Sequence, residues 1–119
     1  MQARILALFA AYGDHIARLV PVHVEDEYLK LVIYFADGSN LRVAEEWNGG
    51  VLSSYSYYWL SADDSLKIGW DNAPHHRELE HFPHHKHIGR QENRFPSAER
   101  RLEDVMRVIL AQMNAPDQA

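Results

Sequence analysis

The sequence predicts an α+β domain with one helix near each end of the chain and an antiparallel sheet between them. Apolar residues recur at intervals of three and four in both terminal segments, which is typical of amphipathic helices. Between these segments, four stretches alternate in the way that half-buried strands do, and turn-forming residues separate them. The order is therefore an N-terminal helix, a four-stranded antiparallel meander sheet, a His-rich loop and a C-terminal helix, with the helices covering one sheet face.

The predicted N-terminal helix has an apolar stripe that starts at Ile5 and continues through Ile16 and Leu19 to Pro21, where proline ends the helix. Asp37-Gly38 is a strong hairpin signal between the first two strands. The four predicted strands are Tyr28 to Phe35, about Asn40 to Trp47, Val51 to Leu60, and Leu66 to Trp70. The acidic pair Glu45 and Glu46 is expected on a solvated rim.

The C-terminal helix is predicted to begin near Ser97, which follows a proline and is a suitable N-cap residue. Its apolar stripe consists of Leu102, Val105, Met106, Ile109 and Met113. Residues 114–119 are expected to form a frayed tail. At 119 residues the chain is expected to fold as one domain, residues 1–119.

The composition excludes several kinds of site. The chain contains no cysteine, which removes disulfides, thiolate catalysis and cysteine zinc sites, and fits a cytoplasmic protein. It has no long apolar stretch, so no membrane span is predicted. The net charge of −5 argues against a general nucleic-acid binder.

A histidine-rich segment between Asp71 and Arg90 is the main functional candidate. Six of the eight histidines fall between His75 and His87. Histidine titrates near neutral pH and binds metals, so this segment concentrates both capacities. Two prolines and a glycine in the segment argue against a continuous helix, and we expect a loop.

One chemistry for this segment is metal-free cleavage of RNA. Transesterification needs a base for the 2′-hydroxyl proton, an acid for the leaving 5′-oxygen and positive charge beside the phosphate. We predict His84 or His85 together with His87 as the acid–base pair, Lys86 as the phosphate-stabilising residue and Asp71 as the residue that orients a histidine. The predicted substrate-binding residues are His75, His76, Arg77, Arg90 and Tyr57, the last of these by stacking on a base. Packing in the core is the alternative role for the strand aromatics.

The alternative chemistry uses zinc or another divalent cation. If residues 84–87 are extended, His85 and His87 face one side and His84 and Lys86 face the other. His85 and His87 are then candidate metal ligands, with His81, His75 or His76 as a third and water as the fourth. The spacing matches no specific zinc motif, and the lysine among the ligands would repel a dication. The metal-free scheme, which needs no cofactor, is therefore preferred.

Four runs resemble the TumE family of toxins from type II toxin–antitoxin systems. They are YSYYW (Tyr55–Trp59), GWDNAPHH (Gly69–His76), FPHHKHIG (Phe82–Gly89) and LEDV (Leu102–Val105). The resemblance extends from roughly Glu27 to Leu110. It implies a cytoplasmic growth-inhibiting protein with a cognate antitoxin as partner, and RNA, free or on the ribosome, as the expected target.

These observations leave three functional hypotheses. The preferred one is a toxin that acts as a metal-independent endoribonuclease. The second is a metal-dependent nuclease or phosphotransferase that uses the same loop. The third is a non-enzymatic module whose His-rich loop docks a partner protein. A homodimer is a further partner hypothesis, and no membrane association is expected.

Overall fold

The computed structural model of the chain describes residues 1–74 and 81–114. These residues form two α-helices, a short 3₁₀ helix at Gly13–His15 and seven strands. The helices are α1 (Gln2–Tyr12) and α2 (Leu102–Met113). The strands are β1 (Ile16–Val24), β2 (Tyr28–Phe35), β3 (Asn40–Asn48), β4 (Val51–Leu60), β5 (Leu66–Asp71), β6 (His85–Ile88) and β7 (Arg94–Pro96).

The seven strands form one antiparallel sheet in the order of the sequence, from β1 at one edge to β7 at the other. The α+β arrangement with a helix near each end is therefore as predicted, but the four-stranded sheet is wrong. The four predicted strands correspond to β2, β3, β4 and β5. One strand extends the sheet before them and two extend it after them.

The first correction concerns the N-terminal helix, which ends at Tyr12 instead of Pro21. The next residues turn into β1, where Ile16 and Leu19 belong to a strand paired with β2. Three valines in this segment favour extended backbone. Pro21 is tolerated because β1 lies at the sheet edge, where a missing N–H does not interrupt a second ladder.

The second correction concerns the residues after β5. Part of the predicted loop is strand β6, whose partners are β5 and β7. Helix α2 begins at Leu102 and not near Ser97. Ser97 is fully buried, and its hydroxyl donates to the carbonyl of Glu99 at 3.0 Å, so these residues connect β7 to the helix. Of the predicted tail, only Asn114 is among the described residues.

The helices and the sheet enclose a single apolar core on one side of the sheet. Leu8 of α1 and the predicted stripe of α2 from Leu102 to Ile109 pack against the same face. That face presents Leu31, Val43, Tyr57, Trp59 and Trp70, each at most 1% exposed. We call it the helix-covered face, and the opposite side the open face.

An ion pair between a partly exposed arginine and a buried glutamate fastens α1 to the helix-covered face. Arg4 binds both carboxylate oxygens of Glu45, with Nε–Oε1 at 2.6 Å and Nη2–Oε2 at 2.7 Å. The Tyr57 hydroxyl donates to Oε2 at 2.6 Å, and burial, with Glu45 beside it, raises the pKa of Tyr57. The expectation that Glu45 lies on a solvated rim is wrong, since the residue is 1% exposed.

Neither helix is long and apolar enough to cross a membrane, within the part of the chain that the structure describes.

Candidate functional site

The open face carries a groove of about 560 Å³ that runs from β2 to β6. Strand register explains its composition, because cross-strand neighbours point to the same side of a sheet. Ala44, Ser56, Asp71 and His85, which all line the groove, form one such row across four strands. The groove therefore ends where β5 and β6 bring an aspartate opposite a histidine.

Three side chains converge at this end of the groove. Nε2 of His85 lies 2.9 Å from Oδ1 of Asp71, and Nε2 of His87 lies 3.4 Å from Oδ2. The two imidazole rings contact each other edge to face, with centroids 5.0 Å apart. We call Asp71, His85 and His87 the Asp–His–His cluster. Its members line the groove although each residue is at most 9% exposed.

The orientation of both imidazoles is set by backbone carbonyls. Nδ1 of His85 lies 3.0 Å from the carbonyl oxygen of Pro83, and Nδ1 of His87 lies 2.7 Å from that of Gln91. A carbonyl oxygen only accepts hydrogen bonds, so each Nδ1 must carry the proton. Nε2 of each ring is thereby directed at the carboxylate of Asp71.

The carboxylate of Asp71 is held from two sides. The backbone N–H of Ala73 donates to Oδ1 at 3.0 Å, and the Tyr58 hydroxyl donates to Oδ2 at 3.2 Å. Burial, together with the negative charge of Asp71, raises the pKa of Tyr58 to about 12. The hydroxyl therefore stays protonated at neutral pH and remains a donor.

Tyr58 reaches Asp71 because a glycine lies beneath its ring. A Cβ built on Gly69 would lie only 2.3 Å from Cε1 of Tyr58. An isolated glycine within a strand often marks such a close approach. Glycine at this position therefore allows the ring to lie across β5 toward the cluster.

Gly69→Ala is expected to displace the Tyr58 ring and to lower the free energy of unfolding by about 1–3 kcal/mol, as overpacked sites do. Urea denaturation measures the loss. Gly13→Ala is the control, because a Cβ at Gly13 meets nothing within 4 Å. In a Tyr58→Ala background the same substitution should cost much less. An equal cost in both backgrounds would contradict this account.

Lys86 and His84, two of the predicted catalytic residues, lie away from the cluster. Lys86 is cross-strand from Trp70 on the helix-covered face, and its Nζ lies 3.2 Å from Oε1 of Glu99. Nδ1 of His84 lies 2.8 Å from the Tyr55 hydroxyl. Burial lowers the pKa of His84. The structure thus separates Lys86 from His85 and His87.

The other predicted site residues are also dispersed. Tyr57 is fully buried on the helix-covered face. Arg90 is exposed in the turn between β6 and β7. His81 is exposed, with its Nδ1 3.4 Å from Arg100, and is not part of the Asp–His–His cluster. His75, His76 and Arg77 lie outside the described residues.

The Asp–His–His cluster is the one group of three or more His, Cys, Asp or Glu within residues 1–74 and 81–114 whose ligand atoms suit a metal ion. These atoms lie within 4.8 Å of one another. The metal hypothesis named His85 and His87 but expected the third ligand to be His81, His75 or His76, of which the last two lie outside the described residues. The structure places Asp71 in that position.

A family model described as Toxin TumE matches residues 13–113. The chain belongs to the TumE toxin family. The match covers every strand and helix α2, and it includes the Asp–His–His cluster. The TumE resemblance found in the sequence motifs is thereby confirmed. Membership of a toxin family also implies an antitoxin as the natural partner.

No curated protein and no solved structure matches this TumE-family chain.

The sequence did not predict that Tyr58 and Gln91 would contact the Asp–His–His cluster. Tyr58 donates to Asp71, and Gln91 lines the groove, accepts from His87 through its carbonyl and hydrogen-bonds Tyr58 through its side chain. Gly69 was the available signal for Tyr58, because a glycine inside a strand indicates that a bulky neighbour lies close. Gln91 has no comparable signal, since its position depends on the β6–β7 turn.

Proposed function

We propose that this TumE-family protein is the toxin of a type II toxin–antitoxin system and that it cleaves RNA in the cytoplasm at the Asp–His–His cluster. The observation that supports this most directly is the convergence of two imidazoles and a carboxylate at one end of an open groove. Sites with these groups in a cleft are common centres of proton transfer and phosphate chemistry.

In the proposed reaction the RNA 2′-oxygen attacks the adjacent phosphorus, and the bond from phosphorus to the 5′-oxygen breaks. The 2′-hydroxyl loses its proton to a base, and the leaving 5′-oxygen gains one. Imidazole and carboxylate are the side chains that most often carry such protons. Placing the reaction at Asp71, His85 and His87 gives it buried groups that are already oriented by carbonyl, N–H and hydroxyl partners.

The remainder of the open face provides room for the RNA chain. A second cavity of about 530 Å³ shares Ala44, Ser56, Tyr58 and Gln91 with the groove. It adds Lys30 and Arg42, whose charges can contact phosphates flanking the cleaved bond. Arg42 lies 3.5 Å from Asp64 in an exposed pair, and such pairs exchange partners at little cost.

Inducible expression in bacteria tests the proposal when growth and total RNA are followed together. Wild-type protein should stop growth and fragment RNA before viability falls. His87→Gln should relieve both effects at equal protein levels. The control variant is His23→Gln, which changes an exposed histidine on β1 and should relieve neither effect. Growth arrest with intact RNA would contradict the proposal, and would favour a toxin that acts by docking another protein.

Co-expression of the antitoxin extends the same experiment. The adjacent reading frame should restore growth by binding the toxin, and pull-down of the pair should recover both proteins. Failure of every neighbouring frame to restore growth would contradict the assignment to a type II system.

A further inference from the structure

We propose that the Asp–His–His cluster binds one divalent transition-metal ion, for which zinc is the test ion. The facing atoms of Asp71 lie 2.9 Å from His85 and 3.4 Å from His87, and all three ligand atoms fall within 4.8 Å. In a tetrahedral zinc site with bonds of about 2.0–2.1 Å, neighbouring ligand atoms are about 3.3–3.4 Å apart. The present spacing needs only small side-chain movements to reach that geometry.

The orientation of the ligands supports the same inference. Each imidazole donates its Nδ1 proton to a backbone carbonyl and directs Nε2 inward. Metal-binding histidines characteristically hold their second nitrogen in this way, which fixes the tautomer and the ring plane. Asp71 is likewise positioned by Ala73 and Tyr58. All three candidate ligands are therefore oriented by partners outside the site.

The donor set indicates the class of metal. Two imidazole nitrogens and one carboxylate oxygen suit zinc and neighbouring transition ions, whereas magnesium and calcium prefer oxygen ligands. Three protein ligands leave a fourth position for water or a substrate oxygen, as in catalytic zinc sites. The cluster lines the groove, so this position is accessible to a ligand bound there.

The charge of the groove gives an independent argument. Its lining includes the acidic residues Glu46 and Asp71 but no lysine or arginine, within the part of the chain that the structure describes. Lys86, the cation that the sequence placed here, contacts Glu99 on the helix-covered face. With both Nε2 atoms bound to a metal, the imidazoles would no longer carry the protons of the cleavage reaction. The metal would then supply the positive charge that a phosphate requires, and its bound water, with a lowered pKa, would serve as the base. This catalytic consequence rests on the proposed function, whereas metal binding itself does not.

Calorimetric titration of chelator-treated full-length protein with zinc chloride tests the site. The wild type should bind one ion tightly. Asp71→Asn and His87→Gln should each weaken binding by at least about 10–100-fold, the range already seen when outer-shell partners of metal ligands are removed. His84→Gln is the matched control from the same histidine block, and its affinity should not change. Cobalt substitution should give the absorption bands of tetrahedral coordination, and circular dichroism checks that each variant is folded.

The outcomes separate this inference from the proposed function. Absence of zinc binding by the wild type would overturn the metal site. An equal loss of zinc affinity in His84→Gln and Asp71→Asn would also overturn it, and would indicate adventitious binding by accessible histidines. RNA cleavage that persists in chelator without bound metal would overturn the catalytic role given to the metal, while leaving the proposed function intact. Zinc binding that depends on Asp71 and His87, in a protein that does not cleave RNA, would support the site and contradict only the ribonuclease proposal.

Discussion

Asp71→Asn is expected to lower kcat/KM for RNA cleavage by about 10²–10⁴-fold while the protein remains folded, a loss typical of removing a group that carries or positions a proton. Asparagine preserves the shape of the side chain but removes the negative charge that faces His85 and His87. In the wild type both carboxylate oxygens accept hydrogen bonds, one from Ala73 and the other from Tyr58. In the variant an amide NH₂, which is a donor, replaces one of these acceptors. Initial rates on a short fluorescent RNA, measured from purified protein, give the loss directly.

Two further variants make the result specific. His23→Gln changes an exposed histidine on the sheet edge and should leave the rate unchanged. Lys86→Met tests the scheme predicted from the sequence against a site at the Asp–His–His cluster. The predicted scheme requires Lys86 beside the phosphate, whereas the cluster does not include this residue. The structure places its amine beside Glu99 on the other face, so we expect a much smaller loss than in Asp71→Asn. Equal losses of activity in Lys86→Met and Asp71→Asn would contradict the placement of the site.

The alternation of side chains along residues 84–87 could be predicted from the sequence, and it is the part of the site geometry that local pattern determines. An extended backbone places His85 and His87 on one side and Lys86 on the other, and the structure has this arrangement. The functional assignment nevertheless combined Lys86 with both histidines in one site. The alternation already argued against that combination.

The partner of the two histidines could not be predicted in the same way. Asp71 lies opposite His85 because β6 pairs with β5, at a register set by contacts between residues far apart in sequence. Local pattern in this segment indicated a loop, since two prolines and a glycine interrupt it. Pro83 and Gly89 flank β6 and do not lie within it. A four-residue strand can therefore form between them when a neighbouring strand offers unpaired N–H and C=O groups.

The edge strand β1 illustrates a related limit. Ile16 and Leu19 continue the helical spacing of α1, and periodicity alone favoured one long helix. Residues Gly13–His15 form a 3₁₀ turn instead, and the following valine-rich segment pairs with β2, with two register shifts along its length. The stabilisation of β1 comes from its hydrogen bonds to β2 across the hairpin. A short window of sequence around β1 does not include the residues of β2.

The largest expected effect on stability comes from Arg4→Met. This substitution should lower the free energy of unfolding by about 3–5 kcal/mol, because it leaves the buried carboxylate of Glu45 without its cation. The Glu45 side chain is 0% exposed, and Arg4 makes two hydrogen bonds to it at 2.6 and 2.7 Å. Trp47 and Tyr57 remain as neutral donors to Glu45, but they do not balance its charge.

The matched control is Arg107→Met on α2. Arg107 forms an exposed pair with Asp104 at 3.7 Å, and exposed pairs contribute about 0–1 kcal/mol. Urea denaturation of both variants gives the two losses under the same conditions. A loss in Arg4→Met no larger than in Arg107→Met would show that Glu45 obtains its compensation elsewhere.

A double-mutant cycle then distinguishes loss of charge pairing from loss of packing by α1. Arg4 also contacts Glu103 at 3.1 Å and lies over the Trp47 ring, so its removal affects more than one contact. Adding Glu45→Gln removes the stranded charge, and the double variant should therefore be less destabilised than the sum of the two single variants. If the two losses of unfolding free energy simply add, the effect of Arg4→Met comes from the packing of the helix. A charge interaction between Arg4 and Glu45 would instead appear as coupling between the two substitutions.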